Sequence, residues 1–274
     1  MRITEILSTN NIKFAAFDLD GTLVDEKGKL IKNVQQGLEN IKGRDIILFI
    51  VTGRTVDSFL SLNFSDEFLE LFNENVFCAD GNVIFNSKTK NIKTNIYLEK
   101  KLLYFLSKHF KSVSEFVIET KDGYYATSKC ALIKHCFLFK MKRNQFKLIN
   151  QEFSSLNHVA KIRMYPMQEL SLDLKYESVK FSCKIRYSRH FNSIILSPKI
   201  CKAKALLKFI CFEYGLEDLH HVIAFGDGEN DSTILKESKF GIAMMKSHNL
   251  AIENCDLHLS IPISEYLTED DGND

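Results

Sequence analysis

The 274-residue sequence has no tryptophan and only three prolines. So little proline argues against rigid linkers between tethered modules. No stretch approaches the roughly 18 consecutive apolar residues of a membrane span, and the opening MRITEILSTNNIKF holds no apolar run of signal-peptide length. The seven cysteines are odd in number and scattered. None forms a Cys-x-x-Cys pair or a Cys/His cluster at zinc spacing, which argues against a zinc site and a disulfide framework. Free thiols in a reducing cytoplasm are the expectation. Charge of either sign is not in excess: 36 Lys and Arg face 35 Asp and Glu, for a net charge of +1. No bulk field therefore points to nucleic acid or an anionic membrane. No basic patch interleaves with aromatics, no histidines stand at metal or triad spacing, and Gly226-Asp227-Gly228 lacks the third glycine of a dinucleotide loop.

What is present is enough apolar material, 45% of residues, to bury one large core or two modest ones. Residues 14–18 read as a short apolar strand, and Ile31, Val34, Leu38 and Ile41 recur at helical spacing over 31–42. The run IILFIV, 46–51, suits a strand covered on both faces. A helix is expected over 55–72 and a strand at NVFCA, 75–79. This β-α-β-α-β alternation predicts a doubly wound parallel sheet of Rossmann type. The same rhythm returns after residue 200. There an amphipathic helix, 201–215, precedes the strands HVIAFGD, FGIAM and LHLSI, with the helix NDSTILKES between the first two. The middle differs. EFVIETKDGYYAT reads as a hairpin turning at Asp122-Gly123, followed by three more strands, with helices expected over 98–110 and 143–156. The expected organisation is a core domain of residues 1–82 and 197–274 interrupted by an inserted α+β domain of 83–196. The acidic tail TEDDGND is expected to be frayed.

Four stretches carry chemistry. In FAAFDLDGTLVD, Asp18 and Asp20 follow a strand and point to one side of it. Two such carboxylates repel unless a cation joins them, and a hard divalent ion such as Mg²⁺ takes oxygen ligands of this kind. A surface turn is the plain alternative. In FIVTGRT, Thr52 ends a strand where open α/β sheets bind ligands, so its hydroxyl and the Gly53 amide suit a phosphate; Thr52 also suits a helix N-cap. In SPKICKAKALLKF, Lys199, Lys202 and Lys204 compete to neutralise a phosphoryl group. In IAFGDGENDSTIL, Asp227 stands at a strand tip and Asn230-Asp231 opens the next helix, where Asp231 also complements the helix dipole. A fifth stretch, CADGN, with Asp80, Gly81 and Asn82, is read first as a hairpin turn.

Taken in order, these motifs resemble the haloacid dehalogenase superfamily, in particular its Cof-like phosphatases with a large α/β cap. The resemblance implies a Mg²⁺-dependent phosphomonoester hydrolase of a small phosphorylated metabolite, plausibly a sugar phosphate. A phosphomutase on the same core, or a non-catalytic metabolite-binding scaffold, is the alternative. Asp18 is then the nucleophile that becomes an aspartyl-phosphate. Asp20 is the general acid/base, with its backbone carbonyl on the metal. Thr52, Gly53 and Lys202 hold the phosphate, Asp227 is a metal ligand, and Asn230 and Asp231 support it. Lys202-Ala203-Lys204-Ala205-Leu206 aligns with the family's Lys-Gly-x-Ala-Leu, with alanine in place of glycine. After FGIAM the family's asparagine-alanine pair is replaced by Lys246-Ser247. In the expected cap, Lys161, Arg163, Lys184 and Arg186 alternate along strands and so could line one face.

Overall fold

The computed structural model describes residues 1–94, 96–139, 141–149, 153–168, 181, 183–188 and 191–268. Contacts divide the chain into two units, Met1–Asn95 with Cys201–Asp274, and Ile96–Ile200. The first unit holds β1 (Phe14–Phe17), β2 (Ile47–Ile50), β3 (Asn75–Cys78), β4 (Val83–Asn86) and β5 (Ile92–Thr94). The second holds β6 (Ser114–Thr120), β7 (Gly123–Ala126), β8 (Phe146–Leu148), β9 (Val159–Pro166), β10 (Cys183–Ser188) and β11 (Ser193–Pro198). The first unit resumes with β12 (Val222–Gly226), β13 (Phe240–Ala243) and β14 (Leu257–His258).

The first unit is built on a parallel sheet ordered β14-β13-β12-β1-β2. β1 and β12 are buried at every position, as expected of central strands covered on both sides. One side carries Phe17 stacked on Phe225 at 4.5 Å, beneath the helices Val34–Lys42 and Ile263–Thr268. Phe49 and Phe77 pack edge-on against each other and against Phe209 of the helix Lys202–Tyr214. That helix ends at Gly215, whose left-handed φ of 69° stops it as the sequence predicts. Val51 bridges Phe77 in parallel, so β3 continues the sheet beyond β2.

Three expectations are corrected. The first domain boundary falls after Asn95 rather than Asn82, because β4 and β5 extend the antiparallel sheet that β3 begins; the return falls after Ile200. The helix expected over 55–72 is two short ones, Val56–Leu60 and Asp66–Leu69. Asn63 turns left-handed between them at φ 49°, and the Ser65 hydroxyl caps the second by accepting from the Phe68 amide. The helix expected over 143–156 is a strand flanked by 3-10 turns. β8 pairs in parallel with β7, where the Phe146 ring packs at a tilt against Tyr124; this pairing across sequence overrides local helical spacing.

The second unit has a six-stranded sheet ordered β10-β11-β9-β6-β7-β8 and the helices Lys100–Phe110 and Lys129–Phe139. Arg163 and Arg186 both stand opposite Ile195, so they share a face. Lys161 lies 3.9 Å from Glu119. Part of the SVKFSCKIRYS segment and most of the acidic tail lie outside the described residues. No helix among the described residues is long and apolar enough to cross a membrane.

Candidate active site

β1, β2 and β12 all end at one edge of the parallel sheet, and the chemistry-bearing residues leave from there, as open α/β sheets arrange their ligand sites. Asp18 is the first residue beyond β1, with its amide donating to the Phe225 carbonyl at 2.9 Å. The chain then leaves the strand. The amides of Thr22, Leu23 and Val24 all donate to the Leu19 carbonyl, and Gly21 turns through φ 76°. Strand alternation therefore ends at Asp18, and the two carboxylates part. Asp18 is buried; the side chain of Asp20 is 53% exposed.

Lys202, at the start of its helix, is fully buried, and its Nζ donates to Asp18 Oδ1 and Asp231 Oδ1, each at 2.5 Å. Lys199 and Lys204 are exposed. Of the three competing lysines, Lys202 alone is therefore at the site among the described residues. Asp231 does more than face a helix dipole. Its Oδ2 accepts from the amides of Asp227 and Gly228 at 3.2 and 2.9 Å and so shapes the loop after β12.

Asp18, Asp227 and Asp231 present carboxylate oxygens within 4.8 Å of one another. Burial pushes the Asp18 carboxyl up to about 8, with Asp231 and Asp227 adding to the rise and Lys202 opposing it. Asp227 is pushed up to about 6, first by burial and then by Asp231, with Lys202 opposing. The Asp18 and Asp231 charges raise the Lys202 ammonium's hold on its proton against the opposing effect of burial. When all three are ionised, three carboxylates against one ammonium leave two negative charges to balance, an excess that the raised Asp18 and Asp227 values express. A hard oxygen-seeking divalent cation supplies that balance, so the donor set fits Mg²⁺. The backbone agrees: a Cβ on Gly21 would lie 2.2 Å from Asp227 Oδ2, so only glycine lets this turn approach the cluster.

Thr52 is buried, and it is not the helix cap; Thr55 is, accepting from the Ser58 amide at 3.3 Å. Thr52 Oγ1 accepts from the Arg54 amide at 3.2 Å, which leaves its own hydroxyl hydrogen for another partner. Asn230 donates to Asp80 Oδ1 at 2.8 Å, and a Cβ on Gly53 would touch both residues. The CADGN stretch does turn between β3 and β4, as expected, yet Asp80 is buried and belongs to the site. Ala79, Asp80 and Gly81 all take positive φ there, and a Cβ on Gly81 would lie 2.2 Å from Ala205. The site also contains a residue that the motif reading left without a role. Arg54 forks onto Asp20, through Nε to Oδ2 at 2.8 Å and Nη2 to Oδ1 at 2.5 Å. Its place in the Thr-Gly-Arg string was the available signal.

A cleft of about 710 Å³ opens over these groups. Asp18, Asp20, Gly53, Asp227 and Asn230 line it, with Lys246 on its wall.

The family model described as haloacid dehalogenase-like hydrolase matches residues 15–261. The chain belongs to the haloacid dehalogenase-like hydrolase family. This hydrolase is 23% identical over 249 residues to a phosphoglycolate phosphatase of Methanobrevibacter smithii, covering 90% of this chain and 91% of the relative. It is 24% identical over 251 residues to 5-amino-6-(5-phospho-D-ribitylamino)uracil phosphatase of Bacillus subtilis, covering 90% and 89%. The solved structure of a sugar phosphatase of subclass IIB superposes with a TM-score of 0.69 at 18% identity, covering 92% of this chain and 95% of that one. The fold is therefore that of the family's phosphatases, a Rossmann-like core with an inserted second unit.

Proposed function

We propose that this hydrolase is a Mg²⁺-dependent phosphomonoester hydrolase that acts on a small phosphorylated metabolite through an aspartyl-phosphate on Asp18. One observation carries the reading: a buried carboxylate at a strand tip is held by a buried lysine beside two further carboxylates. Lys202 occupies Oδ1, so Oδ2, which has no hydrogen-bond partner among the described residues, is the oxygen that attacks phosphorus. The P–O bond to the leaving group breaks, and Asp20 in its acid form gives that oxygen a proton. Water then attacks the phosphorylated Asp18 while the Asp20 carboxylate takes its proton, which releases inorganic phosphate and restores Asp18. Thr52, the Gly53 amide and the Lys202 ammonium hold the phosphoryl oxygens and supply preorganised positive potential as charge shifts. Asp18, Asp227 and the Asp20 backbone carbonyl hold the cation, with Asn230 and Asp231 as support. When bound, the cation supplies charge neutralisation for the phosphoryl group.

A cleft of about 710 Å³ suits a small ligand, and the named relatives act on small polar phosphomonoesters. The sugar phosphatase with the same fold keeps sugar phosphates within the substrate class. The seven free cysteines fit a reducing cytoplasm. The deciding experiment measures phosphate release from p-nitrophenyl phosphate with Mg²⁺ or EDTA, for the wild type and Asp18→Asn. Release that needs both Mg²⁺ and Asp18 supports the reading; an Asp18→Asn variant at the wild-type rate overturns it. Incubation with a hexose 1-phosphate separates hydrolysis from a mutase, which would yield the 6-phosphate.

A further inference from the structure

The Asp20 carboxylate is half exposed, and an exposed Asp side chain ordinarily samples several rotamers. Here both of its oxygens lie in the Arg54 fork. The guanidinium is anchored in turn. Nη1 donates to the Ser58 carbonyl at 3.2 Å and to Ser58 Oγ at 3.1 Å. The Arg54 backbone is tied at both ends, its amide to Thr52 Oγ1 at 3.2 Å and its carbonyl to the Ala79 amide at 2.7 Å. A planar bidentate fork fixes direction as well as distance. The direction it fixes keeps the Asp20 carboxylate on the wall of the cleft and outside the Asp18–Asp227–Asp231 cluster.

We propose that Arg54 is the positioning residue of Asp20: its anchored fork holds the acid/base carboxylate in one orientation, apart from the cation-binding carboxylates. This rests on the role of Asp20 given above. Without the fork, the exposed carboxylate loses its fixed direction in both half-reactions.

Arg54→Lys, which keeps the charge but not the fork, and Arg54→Gln are compared with wild type on p-nitrophenyl phosphate and an alkyl phosphate, after circular dichroism confirms folding. Nitrophenolate leaves without a proton, whereas an alkoxide needs one. The kcat/KM for the alkyl phosphate is expected to fall about 10- to 100-fold, part of the roughly 10²- to 10⁴-fold that acid–base catalysis contributes. The kcat/KM for p-nitrophenyl phosphate falls about tenfold less, while its kcat and KM drop together and a burst of nitrophenolate marks accumulated phospho-Asp18. Ser58→Ala, which removes one anchor of the guanidinium, shows the same split at smaller amplitude. Equal losses on both substrates without a burst, or full activity in Arg54→Lys, overturn the proposal. The Asp18→Asn control reads the phosphatase assignment separately, since that assignment fails only if Asp18 is dispensable.

Discussion

Lys202→Met removes the ammonium from the centre of the site and keeps most of the apolar stem. In the wild type, Nζ lies 2.5 Å from both Asp18 and Asp231, whose side chains are 7% and 1% exposed. Truncating one member of a buried ion pair strands the other charge, at a cost of about 3–5 kcal/mol. Here two carboxylates are stranded, so the upper part of that range is expected, a third or more of a typical total stability of roughly 5–15 kcal/mol. Part of the loss should return with Mg²⁺, because a ligand of the folded state stabilises it by about 2.7 kcal/mol at 100 times its Kd. The assay is urea unfolding followed by circular dichroism, since the chain has no tryptophan to report by fluorescence. Lys204→Met is the control: Lys204 is exposed, and its loss should change stability by no more than about 0.5 kcal/mol. A Lys202→Met protein within about 1 kcal/mol of wild type, in the absence of Mg²⁺, would refute the buried-pair reasoning.

Further predictions address the turn, the cation and the inserted unit. Gly21→Ala forces a side chain into φ 76° and against Asp227, so it should cost about 1–3 kcal/mol and weaken Mg²⁺ activation, read from the midpoint of a Mg²⁺ titration. EDTA should stop phosphate release and excess Mg²⁺ restore it; Mg²⁺ should also raise the melting temperature of wild type more than that of Asp227→Asn. Burial, then Arg163 and Lys161, depress His135 to about 3, and its Nδ1 lies 2.8 Å from the Tyr165 hydroxyl. Its neutral form is the folded form, so its contribution is whole above the unfolded value near 6.5 and is lost as pH falls from there toward 3. At pH 5 the loss is at most about 2 kcal/mol, from about 1.4 kcal/mol per pH unit. Urea unfolding of wild type and His135→Gln at pH 7.5 and 5 checks this; an identical pH dependence in the two proteins would dismiss it.

Much of the site was legible because it follows from local pattern. Short apolar runs become the central strands β1 and β12, and Asp18 and Asp227 fall just beyond their ends, so their place at the sheet edge needs only strand periodicity and chain order. The hairpin of β6 and β7 and the helix stop at Gly215 are likewise local, since each depends on the conformation one or two residues can adopt, although the hairpin turns at Lys121-Asp122, one residue before the expected Asp122-Gly123, with Gly123 already paired to Thr120. Partner choice was not local. Lys202 and Asp18 are 184 residues apart, and only packing buries Lys202 while leaving Lys199 and Lys204 in solvent. Asp20 and Asp18 share a motif, yet the turn at Gly21 sends one carboxylate to Arg54 and leaves the other with Lys202. β8 took its form from β7 across the sheet, and β4 and β5 joined the first unit by pairing in sequence from β3. Chain order and strand pattern alone place the two motif aspartates, Asp18 and Asp227, at one edge of the sheet. The tertiary structure decided which charges meet and which stay wet, because burial and ion pairing arise only when distant segments pack together.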